Sequence, residues 1–259
     1  MVDGERRRVL ITGAGGTIGT VLRRRLRERY QLRLLAHEEI DEPAVIADIS
    51  DGAAIRPAFE GIDVVLHLAA AANVDSTWDQ LLAPNVVGAY NVFEAARAAG
   101  VRRVVFASST HAVGMHGVEA APELYRLDDE RVFSDEVALR PDSLYGASKA
   151  FGEILGRHFS ERHGMSVICL RVGFVSPAAN EAFRSPRELP ERQRAAGPRA
   201  GAIWLSHRDC AALFAAAIDA QPALKWAVAY GTSDNPRQVW DLSSARRLLG
   251  YHPRDRAPS

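Results

Sequence analysis

The chain has almost no lysine. Of its 32 basic residues only two, Lys149 and Lys225, are lysine, and the rest are arginine. Net charge is also missing. The 32 basic and 32 acidic side chains cancel, so no overall field draws nucleic acid or an anionic membrane to it. Arg23, Arg24, Arg25, Arg27 and Arg29 crowd one stretch, but they read as the solvated face of a first helix rather than a nucleic-acid patch. Cysteine is scarce. Cys169 and Cys210 form no CxxC and no disulfide framework, so they read as buried free thiols in a reducing cytoplasm. The eight histidines are scattered without an HExxH or paired cysteines, so no metal is expected. His67, inside "VVLHLAA", reads as a satisfied core histidine, and His207 as the anchor of a helix start. No apolar run is long enough to cross a bilayer, and the opening "MVDGERRR" has no secretory apolar segment. Nucleic acid and membrane are therefore not expected partners.

What is present is an ordinary globular balance: 259 residues, 47% hydrophobic and 25% charged. "RRVLIT", "LRLLA", "AVIAD", "DVVLHLAA", "RRVVFASS", "SVICLRVG" and "WAVAYGTS" read as strands. Between them, "TIGTVLRRRLRERY" carries Ile18, Leu22, Leu26 and Tyr30 on one helical face. "NVVGAYNVFEAARAAG" is a helix ended by Gly100, "SLYGASKAFGEILGRHFSERHG" a long helix, and "SHRDCAALFAAAIDA" and "DLSSARRLLGY" further helices. Strands alternating with helices predict an α/β fold with a doubly wound parallel sheet. Gly173 to Gly201 is Pro- and Arg-rich and nearly aperiodic, so a long surface loop with one short helix is expected there. The whole, 1–259, reads as one domain, in which 173–205 and 231–259 form a small substrate-binding lobe.

"TGAGGTIG" sets Gly13, Gly16 and Gly19 at i, i+3 and i+6 between the first strand and the first helix. Gly13 permits a tight turn, Gly16 lets backbone approach a pyrophosphate, and Gly19 lets the helix lie close to the sheet. At the end of the second strand, where an acid usually binds the adenosine ribose, stand His37 and then Glu38. Either serves NAD, whereas a protonated His37 suits the 2′-phosphate of NADP, so NAD with NADP as alternative is the expectation. Asp48, after the third strand, reads either as a partner for the adenine amino group or as a helix N-cap.

The scarce lysine now has a use. Tyr145 and Lys149 are i and i+4 on one helix and share a face. A free phenol titrates near ~10; lowering it by about three units takes roughly 4 kcal/mol. A compact ammonium one turn away is suited to that and to a ribose hydroxyl pair, and a guanidinium fork is not.

"TGAGGTIG", "HLAA", "FASST" and "YGASK" resemble, in order and spacing, the extended branch of the short-chain dehydrogenase/reductase superfamily. The resemblance implies a Rossmann-type domain with Ser109, Tyr145 and Lys149 as catalytic residues. It implies a cofactor site that includes Thr17, Ile18, Ile49, Leu68, Ala69, Asn85, Ser108 and Val175. Within the branch the chain is most similar to uronate dehydrogenases, through "VVFASSTHAVG", "RPDSLYGASKAFGE" and "WLSHRD". That implies oxidation at C1 of a hexuronic acid such as glucuronate or galacturonate, giving the aldarolactone. Neutral-aldose dehydrogenase and sugar-nucleotide epimerase/dehydratase are the alternatives. It also implies Asn73, Ser109, Thr110 and His111 on the sugar, Arg199 on its carboxylate with Arg187 as rival, and a homo-oligomer, dimer or higher. Two departures stand out: Thr110 replaces an expected Asn, and Phe174 replaces an expected small polar residue.

Overall fold

A computed structural model describes residues 6–176 and 198–257. Seven strands form one sheet: β1 (Arg8–Thr12), β2 (Gln31–Ala36), β3 (Val45–Ile46), β4 (Val64–His67), β5 (Arg103–Ser109), β6 (Ser166–Val172) and β7 (Trp226–Gly231). Their order is β3-β2-β1-β4-β5-β6-β7, and each neighbouring pair is parallel. The chain builds outward from β1 to β3 and then returns to the other side of β1. The reversal opens a crevice beyond the C-terminal ends of β1 and β4, where ligands of such sheets bind. This is the Rossmann-type doubly wound sheet that the alternation of elements predicts.

The helical segments are α1 (Thr17–Leu26), α2 (Gly52–Ile55), α3 (Trp78–Leu81), α4 (Gly88–Ala98), α5 (Met115–Glu119), α6 (Leu144–His163), α7 (Pro198–Ala202) and α8 (His207–Asp219). The strands are apolar on both faces because helices cover both. On β1, Val9 and Ile11 join a core that includes Val21 and Leu22 of α1 and Leu213 and Phe214 of α8. Leu10 points the other way, into a core with Val92 and Phe93 of α4 and Phe159 of α6. Each fully buried side chain of this size contributes roughly 1.5–3 kcal/mol. A third cluster, with Val113, Leu124, Tyr230, Val239, Trp240 and Leu242, sits apart from the two faces.

Two local departures from the sequence reading have physical causes. Asn85–Val87, expected to open the helix that becomes α4, instead belong to a π-helix over Leu82–Val87. It contains Pro84, which lacks the N–H that an α-helical ladder needs. Arg23 is not solvated. It is 4% exposed and pairs with Asp41 and Glu42 from the chain beyond β2, while Arg24, Arg25, Arg27 and Arg29 are exposed as expected. Of the expected 173–201 loop, Pro198–Ala202 is the short helix α7; residues 177–197, including Arg187, lie outside the described residues.

Candidate active site

The glycine turn is built for close approach. Gly13 has φ +70°, and a Cβ there would lie 2.7 Å from the backbone nitrogen of Ala69. At Gly19 a Cβ would lie 2.4 Å from the Gly13 carbonyl oxygen, so the first helical turn is locked against β1. Gly16 is the N-cap of α1 and has no side-chain cap. The N–H groups of the first turn, Thr17 and Ile18 among them, therefore lack helical acceptors and face the crevice end. Thr12 Oγ1 accepts the N–H groups of Leu68 (3.2 Å) and Ala69 (3.3 Å) and shares a 3.0 Å bond with His67 Nδ1. As acceptor from two amides, the hydroxyl gives its own proton to that ring nitrogen. His67 is thus a neutral core histidine, pushed down to about 3 by burial first and then by the Lys149 charge. The glycine cradle with its unmet amides fits a dinucleotide pyrophosphate.

At the adenosine end His37 and Glu38 are exposed beyond β2. Asp48 accepts the Ser50 amide at 2.8 Å, which with the Ser50 hydroxyl and the His37 charge holds its carboxyl below the ordinary value. Asp48 is not the N-cap of the next helix: that place belongs to Asp51, which accepts the Ala53 and Ala54 amides. Ile49, beside it, is buried.

The other end of the crevice holds Ser109, Tyr145 and Lys149. Ser109 ends β5, and α6 starts at its N-cap Ser143, whose hydroxyl accepts the Gly146 amide at 3.0 Å. That start places Tyr145 and Lys149 over the strand end. A Cβ at Gly146 would lie 2.3 Å from the His111 carbonyl oxygen, so only glycine lets the helix come so near. The Ser109 hydroxyl sits near enough to the Tyr145 phenol to favour its ionised form. Lys149 Nζ donates to the Ala107 carbonyl at 2.9 Å and lies 5.7 Å from the centre of the Tyr145 ring. Asn85, on the π-helix, grips Ala71 with both amide atoms (2.7 and 3.1 Å) and donates to Ser148 Oγ at 2.9 Å. Ser148 in turn donates to the Tyr145 carbonyl at 2.7 Å.

Burial reverses one expectation. Tyr145 is pushed up to about 12, because desolvation outweighs the Ser109 hydrogen bond that lowers it. Lys149 is pushed down to about 8 by desolvation. On raising the pH, the amine loses its charge before the phenol ionises, so in the chain alone Lys149 does not lower Tyr145 as the i, i+4 spacing suggests. The Lys149 shift has a stability consequence. The folded chain must bury an ammonium below about 8, whereas the unfolded chain keeps its ammonium up to ~10.4. Stability of the native chain therefore gains from Lys149 as pH rises through that window, and Lys149→Met has no such gain. In denaturant titrations, the stability of Lys149→Met relative to the native chain should fall by roughly 3 kcal/mol between pH 7 and pH ~10.5. A constant difference would contradict the buried amine.

On the sugar side, Thr110 and His111 lie on a short 3-10 turn after β5, with Thr110 buried. The His111 ring meets the Tyr145 ring edge-on at 5.9 Å. Arg199, on α7, reaches the same place. His111 and Arg199 converge on Asp142, a residue that sequence reasoning did not single out although it precedes the α6 N-cap. Asn73 accepts the Asp75 amide at 3.2 Å in an exposed turn. Phe174 forms a bridge with Trp204, and Val175 is buried in the core. His207 opens α8 and bonds the Ser176 carbonyl at 2.7 Å. The Ser108 hydroxyl turns inward and donates to Glu153 Oε1 at 2.5 Å. Glu153 also receives two Arg171 nitrogens, each at 2.9 Å. Both were missed because their pairing joins α6 to β6. Cys169 and Cys210 are buried and free. Among the described residues no group of three His, Cys, Asp or Glu is placed to hold a metal ion, and no helix is long and apolar enough to cross a membrane.

The model of the NAD dependent epimerase/dehydratase family matches residues 9–187. An L-arabinose 1-dehydrogenase (NAD(P)(+)) of Haloferax volcanii is 37% identical, over 96% of this chain and 96% of its own. An NAD-dependent glucose-6-phosphate dehydrogenase of the same organism is 35% identical, over 95% and 93%. A mutant uronate dehydrogenase from Agrobacterium tumefaciens, solved in complex with NAD, is 33% identical over 97% of this chain and 86% of its own, with a TM-score of 0.79. The doubly wound sheet, the glycine cradle and the matched family model lead to one conclusion: this chain belongs to the NAD dependent epimerase/dehydratase family.

Proposed function

We propose that the chain oxidises C1 of a cyclic hexuronic acid to its aldarolactone, with NAD as hydride acceptor. That it is an NAD-dependent dehydrogenase acting on a sugar CH–OH group rests on the family and on the likeness to arabinose, glucose-6-phosphate and uronate dehydrogenases. The observation that carries the finer reading is the convergence of Ser109, Tyr145 and Lys149 with His111 and Arg199 at one end of the crevice. NAD, when bound, supplies the electrophilic carbon that accepts hydride. Tyr145 takes the proton of the anomeric hydroxyl, and Ser109 orients that oxygen and offsets its developing charge. Lys149 holds positive charge beneath the phenol. With its nitrogen 5.7 Å from the ring centre, an ammonium there favours the phenolate that forms as the proton is taken. Asn85 fixes the α6 backbone behind Tyr145. The glycine cradle holds the pyrophosphate, and Leu68 and Ala69 line it. Thr110, His111 and Asn73 bind sugar hydroxyls, and the guanidinium of Arg199 takes the C6 carboxylate. The third apolar cluster, with α7, forms a small lobe that closes the sugar side.

A second reading is oxidation of a neutral aldose at C1. Thr110 and Phe174 favour it, since both replace the polar groups expected of a uronate pocket, as does the likeness to the arabinose enzyme. Arg199→Ala separates the two. It should lower kcat/KM for glucuronate about 10- to 100-fold, the range for one lost charged hydrogen-bonded contact, and leave a neutral hexose little changed. Equal effects on both sugars, measured by nicotinamide reduction, would favour the neutral-aldose reading.

A further inference from the structure

Asp142 is placed to decide which sugars the pocket prefers. Its side chain is 7% exposed. Oδ1 and Oδ2 accept from His111 Nδ1 at 2.8 and 2.9 Å, and Oδ2 also accepts from Arg199 Nη2 at 3.2 Å. The Ser143 hydroxyl donates to Oδ1 at 3.2 Å. Room for this carboxylate is cut out of the neighbouring turn: a Cβ at Gly114 would lie 2.0 Å from Oδ2. The guanidinium that the proposed function assigns to a sugar carboxylate is therefore already on a carboxylate of the chain. A bidentate grip on a sugar carboxylate needs two N–H groups in a fork, and one terminal nitrogen is committed to Asp142. Release of Arg199 leaves Asp142 still bonded to His111 and Ser143, so its carboxylate is not stranded. Exchange of one carboxylate for another at Arg199 is then close to balanced.

We propose that Asp142 is a specificity-determining residue that competes with the sugar's anion for Arg199 and so narrows the preference for anionic over neutral sugars. The inference rests on C1 oxidation with Arg199 at the anion. Asp142 acts through Arg199 and does not touch the reacting atoms. In Asp142→Asn the amide oxygen still accepts the His111 Nδ1–H, while the amide nitrogen offers Arg199 no acceptor, so the guanidinium is freed.

The test compares kcat/KM for glucuronate with that for glucose, each with NAD, in the native chain, Asp142→Asn, Arg199→Gln and the double variant. The ratio of the two sugars is the readout, because damage to folding or to His111 lowers both values together. Asp142→Asn should raise the glucuronate-to-glucose ratio about tenfold, the weight of one charged hydrogen bond. In the Arg199→Gln background the same change should leave the ratio unmoved. A ratio that stays constant or falls in Asp142→Asn overturns the competition while C1 oxidation stands. Absence of turnover with both sugars in the native chain overturns C1 oxidation and this inference with it. Asp142→Ser, which also removes the charge, serves if the Asn variant does not fold.

Discussion

Replacing Tyr145 with phenylalanine is expected to lower kcat by about a thousandfold or more, with NAD affinity nearly unchanged. Loss of a positioned acid–base group removes about 10²–10⁴ in rate. Here the same phenol oxygen is also the group that the Ser109 hydroxyl stabilises when ionised, so its loss removes that contact too. Phenylalanine keeps the ring that packs edge-on to His111 at 5.9 Å, so the fold and the crevice remain. Steady-state kinetics on a uronate and a titration of NAD by quenching of protein fluorescence separate the two quantities. Turnover within a few-fold of the native chain would show that the proton goes elsewhere.

The largest expected effect on stability is at Glu153. Its carboxylate and the Arg171 guanidinium are both buried, at 4% and 3% side-chain exposure, and Ser108 donates to the same carboxylate. Arg171 also reaches the Tyr230 hydroxyl at 3.1 Å and the Asp135 carbonyl at 3.1 Å. Burial lowers the affinity of the Arg171 guanidinium for its proton, yet Glu153 more than reverses this, so it stays charged. Glu153→Leu strands that charge and should cost about 3–5 kcal/mol, because a buried cation without its partner carries its full desolvation penalty. For a chain of this size that is a fall in Tm of roughly 10 °C or more. The double variant Glu153→Leu with Arg171→Met removes the cation too and should recover most of the loss. Thermal melts of the three proteins decide it. A single variant as stable as the native chain would mean that water reaches the guanidinium.

Much of this architecture is legible along the chain because its signals are local. The glycine turn, the Tyr145–Lys149 spacing and the alternation of strands and helices each lie within one or two elements. What stays hidden depends on elements distant in sequence. Arg23 looks like its exposed neighbours until Asp41 and Glu42 fold over it. Glu153 and Arg171 are ordinary surface types in a pattern and become a buried pair only when α6 lies on β6. Asp142 gains meaning only when α7 brings Arg199 to it. The order in which Lys149 and Tyr145 titrate is set by burial, which spacing does not encode. The pairing of Thr110 and Phe174 with a particular sugar is likewise a matter of pocket shape rather than of motif.

The most direct measurement is nicotinamide reduction. The purified chain is mixed with NAD and glucuronate or galacturonate, the ultraviolet absorbance is followed, and the product is identified. A steady rise with formation of the lactone is expected, slowed about a thousandfold or more in Tyr145→Phe. NAD binding without reduction by any uronate, hexose, hexose phosphate or pentose would contradict C1 oxidation as the activity of this site.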